Sequence, residues 1–399
     1  MSKVLKSPAK YVQGSGVLAQ LDQHLQGMGN RLMVIISQSG TKRICPTLDK
    51  CFDGKDYQLF YHIFSGECSR KQVDEIATEA KAQRCTAIIG VGGGKILDTA
   101  KAVSCQTKLP DVIIPTVASS DAPCSSLSIL YHEDGEFDRY LHLDSCPTVV
   151  LVDTMVIAAA PTRLLVAGMG EAKATWFEAR ACRASGKNNQ IQAKPTRAAT
   201  GLARMCWENL KRDGLTAKMA LDAKVCTEAV ETIVETNTYL SSVGFESGGL
   251  AAAHGIQKGL TFIPALREQL HGFNVAFCVL AQLVLEVSLE DLESFPRLSY
   301  EQGEHNSFYF SEEILSTLAH KKDILVRDRA TLFNLLIGLD GYTICSGVIS
   351  ETLNGPNIRA VPLLVEDAMQ IGCLTHKQVQ PGRFGKQYIE ILKKYTEQV

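Results

Sequence analysis

Glu171, His254 and His271 are the residues of this chain whose types could hold a divalent cation, one carboxylate and two imidazoles. Neutral imidazole suits zinc or ferrous iron, and a catalytic site takes about three protein ligands and keeps one position open. His254 ends the run Ser247-Gly248-Gly249-Leu250-Ala251-Ala252-Ala253-His254, a stretch of small residues that lets another element approach closely. His271 opens His271-Gly272-Phe273-Asn274, and Glu171 follows Gly168-Met169-Gly170 in a helix-patterned stretch. The two histidines stand 17 positions apart, which is no metal motif, so each also reads as a hydrogen-bonded core residue. The other histidines lie in polar surroundings.

A second chemistry belongs to Gly90-Val91-Gly92-Gly93-Gly94-Lys95-Ile96-Leu97-Asp98, which follows an apolar run and opens a helix pattern. Residues without Cβ bring backbone N–H groups close to a phosphate, and a helix N-terminus adds partial positive charge. Lys95 has the length to reach a phosphate oxygen, and Asp98 suits a ribose hydroxyl or a helix start. Lys95 occupies the sixth position where a dinucleotide fingerprint has glycine, and Ile96 stands where a Walker A loop has Ser or Thr. A tight strand-to-helix turn without a ligand remains the plain alternative. Downstream, Pro115-Thr116-Val117-Ala118-Ser119-Ser120-Asp121-Ala122-Pro123-Cys124-Ser125-Ser126 surrounds one carboxylate with hydroxyls at a strand end, where open α/β sheets place ligands. Asp121 reads equally as a helix N-cap.

These groups must be positioned by alternating elements. Leu32–Ile36, Ala87–Val91, Val112–Pro115 and Val149–Asp153 are apolar, β-branched runs of strand length, with helical patterns at Arg70–Arg84 and Lys95–Val103 between them. Such alternation predicts βαβ units and a parallel sheet covered on both faces. After Pro161 the pattern turns helical, over Arg163–Ala184, Pro195–Arg212, Ala217–Leu240 and Gly244–Lys258. The expected organisation is a Rossmann-like α/β domain over residues 1–160 and an all-α domain over 161–399, with the site in the cleft between them.

Composition narrows the function classes. The 399 residues carry 41 Lys and Arg against 43 Asp and Glu, so no basic excess exists to hold nucleic acid. Thirteen cysteines without Cys-x-x-Cys spacing predict reduced thiols rather than a zinc ribbon or a disulfide framework. The N-terminus has no signal-peptide core, and no apolar run reaches the roughly 20 residues that span a bilayer. A soluble, cytoplasmic protein with neither nucleic acid nor membrane as partner is the expectation.

Taken in order, Gly90–Ala102, Pro115–Leu130, Gly168–Ala181 and Asn237–Gly259 resemble the glycerol dehydrogenases, metal-dependent members of the iron-containing (type III) alcohol dehydrogenases. Tyr239-Leu240-Ser241 followed by Gly244-Phe245-Glu246-Ser247-Gly248-Gly249-Leu250-Ala251-Ala252-Ala253-His254 is the most specific run, and the likeness covers roughly residues 1–287. The resemblance implies NAD on the α/β domain and one divalent metal, zinc first and iron or manganese as alternatives. By position it assigns Glu171, His254 and His271 to the metal, with His254 and Asp121 as catalytic residues, Asp121 on the glycerol hydroxyls. Gly92, Gly93, Gly94, Lys95 and Asp98 would meet the pyrophosphate and ribose. Ser37 would sit at the adenosine ribose, and Thr116, Ser119, Ser125, Leu127 and Tyr131 would line the rest of the pocket. A homo-oligomer, an octamer, is implied too. The chain departs from the family in having Glu171 for Asp, Ser37 for Asp, Gln257 for a second histidine, and Phe273-Asn274 for Glu-Lys. The family's late Asn-containing segment corresponds at best to Glu351-Thr352-Leu353-Asn354. A dehydroquinate synthase-like lyase and a non-catalytic NAD-binding relative are the competing readings.

Overall fold

Arg31–Ser37 (β2) has five consecutive buried residues, Leu32 to Ile36, which only a strand covered on both faces can accommodate. In the computed structural model it lies inside a six-stranded, all-parallel sheet with β1 (Lys10–Gly14), β3 (Gln58–Phe64), β4 (Ala87–Gly92), β5 (Asp111–Pro115) and β8 (Val149–Asp153). The strand order is β1-β8-β5-β4-β2-β3. One apolar layer, built around Met33, Ile35, Ile88 and Ile113, packs beneath α2 (Arg70–Ala82) and α3 (Gly94–Thr107). The opposite layer, around Val34, Ile36, Ile89 and Ile114, packs beneath α1 (Gln38–Phe52). The structure describes residues 2–267, 269–286, 295–300, 323–339, 341–343, 357, 358, 383 and 387.

The strand order reverses between β2 and β4. From β2 the chain goes on through α1 to β3 on one side, and from β4 through α3 to β5 on the other. In open parallel sheets such a reversal opens a crevice at the carboxyl ends of the two strands. Ser37 ends β2, and Gly92 to Gly94 join β4 to α3.

A hairpin, β6 (Leu127–Tyr131) with β7 (Phe137–His142), precedes β8. Beyond it come α4 (Thr154–Ala158), α5 (Thr162–Ala184), α6 (Arg197–Asp222) and α7 (Glu228–Glu235). A π-helical turn over Thr236–Leu240 leads to α8 (Ser241–Gly248), α9 (Ala252–Leu260), α10 (Pro264–Arg267) and α11 (His271–Glu286). Two predicted helices are broken. The 217–240 stretch splits because α6 ends at Asp222 and Thr227, whose hydroxyl accepts from Val230 N–H, starts a new helix. The 244–258 stretch splits at Gly249, whose φ of 105° lies where a side chain is strained and whose Cβ would fall 2.3 Å from Cys182 Sγ.

The chain forms two compact units, Met1–Leu283 and Val284–Val399. Of the second, the described residues include a short parallel pair, β9 (Arg297–Tyr300) with β10 (Asp323–Val326), and α12 (Arg329–Leu339). These strands depart from the all-helical expectation for residues after 161. The segment Glu351–Asn354 lies outside the described residues. Among the described residues no helix is long and apolar enough to cross a membrane.

Candidate active site

α5 is the spine of the site. Its glycines let other backbones come to contact: a Cβ on Gly168 would lie 2.1 Å from Ala118 O, and one on Gly170 would lie 2.1 Å from Gly272 O. The reciprocal Cβ on Gly272 would lie 1.9 Å from Ala167 O. α11 therefore meets α5 backbone to backbone, and the adjoining residues, His271 and Glu171, are brought side by side. On the next turns, Gly244 and Gly248 of α8 close against Thr175 and Ala179 of α5. The turn at Gly249 then folds α9 back so that His254 faces α5.

Glu171, His254 and His271 converge with their ligand atoms within 4.8 Å of one another. His271 Nε2 lies 3.2 Å from Glu171 Oε1, and His254 Nε2 lies 3.6 Å from Glu171 Oε2. Glu171 is buried, yet neither of its oxygens has a hydrogen-bond partner among the described residues. A bare buried carboxylate is costly unless a cation compensates it. Burial pushes the Glu171 pKa up, and the two histidines overcome that and hold it below its usual value. Burial works against charge on His254, but the carboxylates of Glu178 and Glu171 raise its pKa well above that of a free imidazole. Two imidazole nitrogens around an unsatisfied carboxylate fit a zinc- or iron-sized ion by donor chemistry and geometry alike.

Asp121 belongs to the same neighbourhood. Burial and the Glu171 charge push its carboxyl up to about 8, while His254 pulls the other way. Its loop is fastened from two sides. The Ser242 hydroxyl donates to Asp121 O, and Asn237 Nδ2 donates to Ala118 O at 3.0 Å and to Leu165 O at 2.9 Å. Glu246 Oε1 accepts from Ser126 N–H at 3.0 Å. From the sheet side, the wholly buried Lys101 donates to Ala122 O at 2.9 Å and to Leu127 O, and pairs with Asp98 at 2.9 Å.

The remaining candidates divide into two groups. Ser37 and the glycine turn stand at the sheet's crevice. The Ser37 hydroxyl caps α1, accepting from Gly40 N–H at 3.1 Å. Gly93 is the N-cap of α3 and supplies no side-chain cap, leaving first-turn N–H groups to an anion, and Lys95 at the rim is exposed and paired with Glu67. A phosphate fits such a turn. Thr116 N–H donates to Gly92 O at 2.9 Å, tying the loop's start to β4, and Ser119 is half-buried farther along. Asp98, Ser125 and Leu127 instead turn toward Lys101: the Asp98 carboxylate accepts from Ile129 N–H at 3.1 Å, and Ser125 Oγ lies 3.5 Å from Lys101 Nζ. Tyr131 ends β6, where burial and the nearby Asp98 push its hydroxyl up to about 12.

Sequence reasoning did not single out Glu178, Lys101, Asn237, Ser242 or Glu246. Each is polar within an apolar or small-residue helical stretch, and such a residue, once its helix is known to be buried, needs a partner.

Residues 8–154 match the family model for iron-containing alcohol dehydrogenase. A glycerol dehydrogenase of Escherichia coli O6:H1 is 46% identical over 306 residues, 76% of this chain and 83% of its own length. Among solved structures, the glycerol dehydrogenase of Schizosaccharomyces pombe superposes with a TM-score of 0.68 at 35% identity, covering 73% of this chain and 75% of that one. A probable glycerol dehydrogenase from Sinorhizobium meliloti 1021 gives 0.67 at 38% identity, covering 71% and 78%.

Proposed function

The chain is an alcohol dehydrogenase that belongs to the iron-containing family, and from that premise we propose that it oxidises glycerol, and related vicinal diols, to dihydroxyacetone with NAD. The observation that carries this reading is Glu171, a buried carboxylate with two bare oxygens facing two imidazoles. Glu171, His254 Nε2 and His271 Nε2 would hold one divalent cation, zinc first. Such a cation supplies the Lewis acidity that lowers an alcohol's pKa to the neutral range, and NAD supplies the hydride acceptor.

The chain's own residues hold and align the reactants. Asp121 accepts hydrogen bonds from the diol's hydroxyls, and its loop keeps a fixed place because Lys101, Asn237 and Ser242 anchor the backbone. The glycine turn presents N–H groups to the pyrophosphate, and Thr116 ties that turn to the Asp121 loop. Cofactor crevice and diol site are thus joined through one short segment, which is what aligning a hydride donor with its acceptor requires. Ser37 places no charge where a 2′-phosphate would lie, so NADP is tolerated more than an aspartate there would allow. The described cysteines are all free thiols, which supports a reducing, cytoplasmic setting. A homo-oligomer of the family's kind completes the proposal.

The test is the initial rate of NADH formation with glycerol, before and after chelation, with zinc, manganese or ferrous iron added back. The expected outcome is loss on chelation and recovery with one of these ions. Folded protein that binds NAD but turns over no small diol with any of them would overturn the assignment and favour a non-catalytic relative.

A further inference from the structure

Glu178 is a wholly buried carboxylate on α5, two turns beyond Glu171 on the same helix face, and the reaction proposed above gives it no part. Its two oxygens do different work. Oε1 accepts from Ala251 N–H at 3.0 Å and from His254 N–H at 2.9 Å. Ala251, the N-cap of α9, makes no side-chain cap of its own, so Glu178 caps α9 from a neighbouring helix. Oε2 lies 2.5 Å from His254 Nδ1.

A carboxylate can only accept, so the hydrogen of that short contact sits on Nδ1. In the neutral ring the lone pair is then on Nε2, the nitrogen turned toward Glu171. We propose that Glu178 is a positioning residue that locks His254 in its Nδ1–H tautomer and aims Nε2 at the cation shared with Glu171 and His271. The proposal rests on the metal reading above. It also explains why the turn at Gly249 is tight: α9 must start against α5 for one carboxylate to serve both the helix end and the ring.

Glu178→Gln separates the two tasks. The amide oxygen can keep the α9 cap, but its NH2 then faces Nδ1 and donates to it. The ring proton moves to Nε2 and obstructs ligation. Zinc affinity, measured by competition with a chromophoric chelator, is expected to fall 10–100-fold in Glu178→Gln, the range typical of an outer carboxylate on a metal histidine. The thermal midpoint of the metal-free variant is expected to stay within a few degrees of the parent. A purely structural role predicts the reverse, a lowered midpoint with zinc affinity unchanged, and that result would overturn the proposal. Should the variant fail to fold, nitrogen-15 shifts of the zinc-loaded parent decide: a proton on His254 Nδ1 supports the lock, and a proton on Nε2 refutes it. A parent that binds no zinc refutes the metal reading and this role together, whereas zinc bound equally by parent and variant refutes this role alone.

Discussion

Asp121 shows how one residue acquires its chemistry from its surroundings. As the carboxylate of a hydroxyl-rich loop it could have been an ordinary cap, and its 3-10 turn receives no side-chain cap bond from it. Burial and the Glu171 charge instead push it up to about 8, which marks a carboxylate set among other charged groups and shielded from water. If it grips the diol in ground and transition states alike, Asp121→Ala should raise KM for glycerol and leave kcat within a few-fold. With the Asp121 carboxyl protonated up to about pH 8, its hydrogen bond to the diol joins neutral groups and is worth about 0.5–1.5 kcal/mol, so steady-state kinetics should show a KM increase of roughly 2–10-fold. An unchanged KM would reduce Asp121 to a loop residue. At this scale Glu171, His254 and His271 were legible as donors by type, but their meeting was implied only by the family resemblance, because spacings of 83 and 17 positions carry no geometry. Glu178 was not legible at all: within Trp176-Phe177-Glu178-Ala179-Arg180 it looks like any helical glutamate until α9 folds onto it.

The elements explain that meeting. Helices normally pack with 8–10 Å between axes, set by the side chains at the contact. Here Gly170 and Gly272 remove those side chains at the crossing of α5 and α11, and the backbones themselves touch. Gly272→Ala would place a methyl against Ala167 O, and backbone cannot yield as a flexible side chain can. Overpacking of this kind costs typically about 1–3 kcal/mol. Because the helix that must retreat starts at His271, zinc binding should weaken along with the thermal midpoint. Calorimetry of the metal-free variant and a zinc titration of the same sample check both, and a variant with parental zinc affinity would show that the crossing does not set the ligand distance. The central strands β2, β4, β5 and β8 were readable because burial on both faces demands continuous apolar runs. The edge strands β1 and β3 were not, since their outer sides are half exposed and their sequences, Lys-Tyr-Val-Gln-Gly and Gln-Leu-Phe-Tyr-His-Ile-Phe, mix polar with apolar residues.

On the scale of the molecule, the site is drawn from α5, α9, α11 and the Asp121 loop, residues far apart in sequence that meet only in the folded chain. A cation bound there stabilises the native state alone, by about 4 kcal/mol when its concentration is 1,000 times Kd. The sign of the pH dependence follows from the groups around it. His254 has its pKa raised by Glu178 and Glu171 against its burial, so its stabilising charge is fully present below about pH 6.5 and is lost as pH climbs through the raised value. Asp121 stays protonated in the fold up to about 8, whereas in the unfolded chain it ionises near 4, so folding is progressively disfavoured between those values. Both make the metal-free protein less stable as pH rises from 6 to 8. Glu171, held below its usual value, acts in the opposite sense only in acid, under about pH 4.5. Zinc moves the other way: it must displace the proton from His254 Nε2, so its affinity grows as protons become scarce. The increase in thermal midpoint on adding a fixed excess of zinc should therefore be markedly larger at pH 8 than at pH 6, and scanning calorimetry with and without chelator measures it. An increment that does not change with pH would mean that zinc is held by groups other than this protonated histidine.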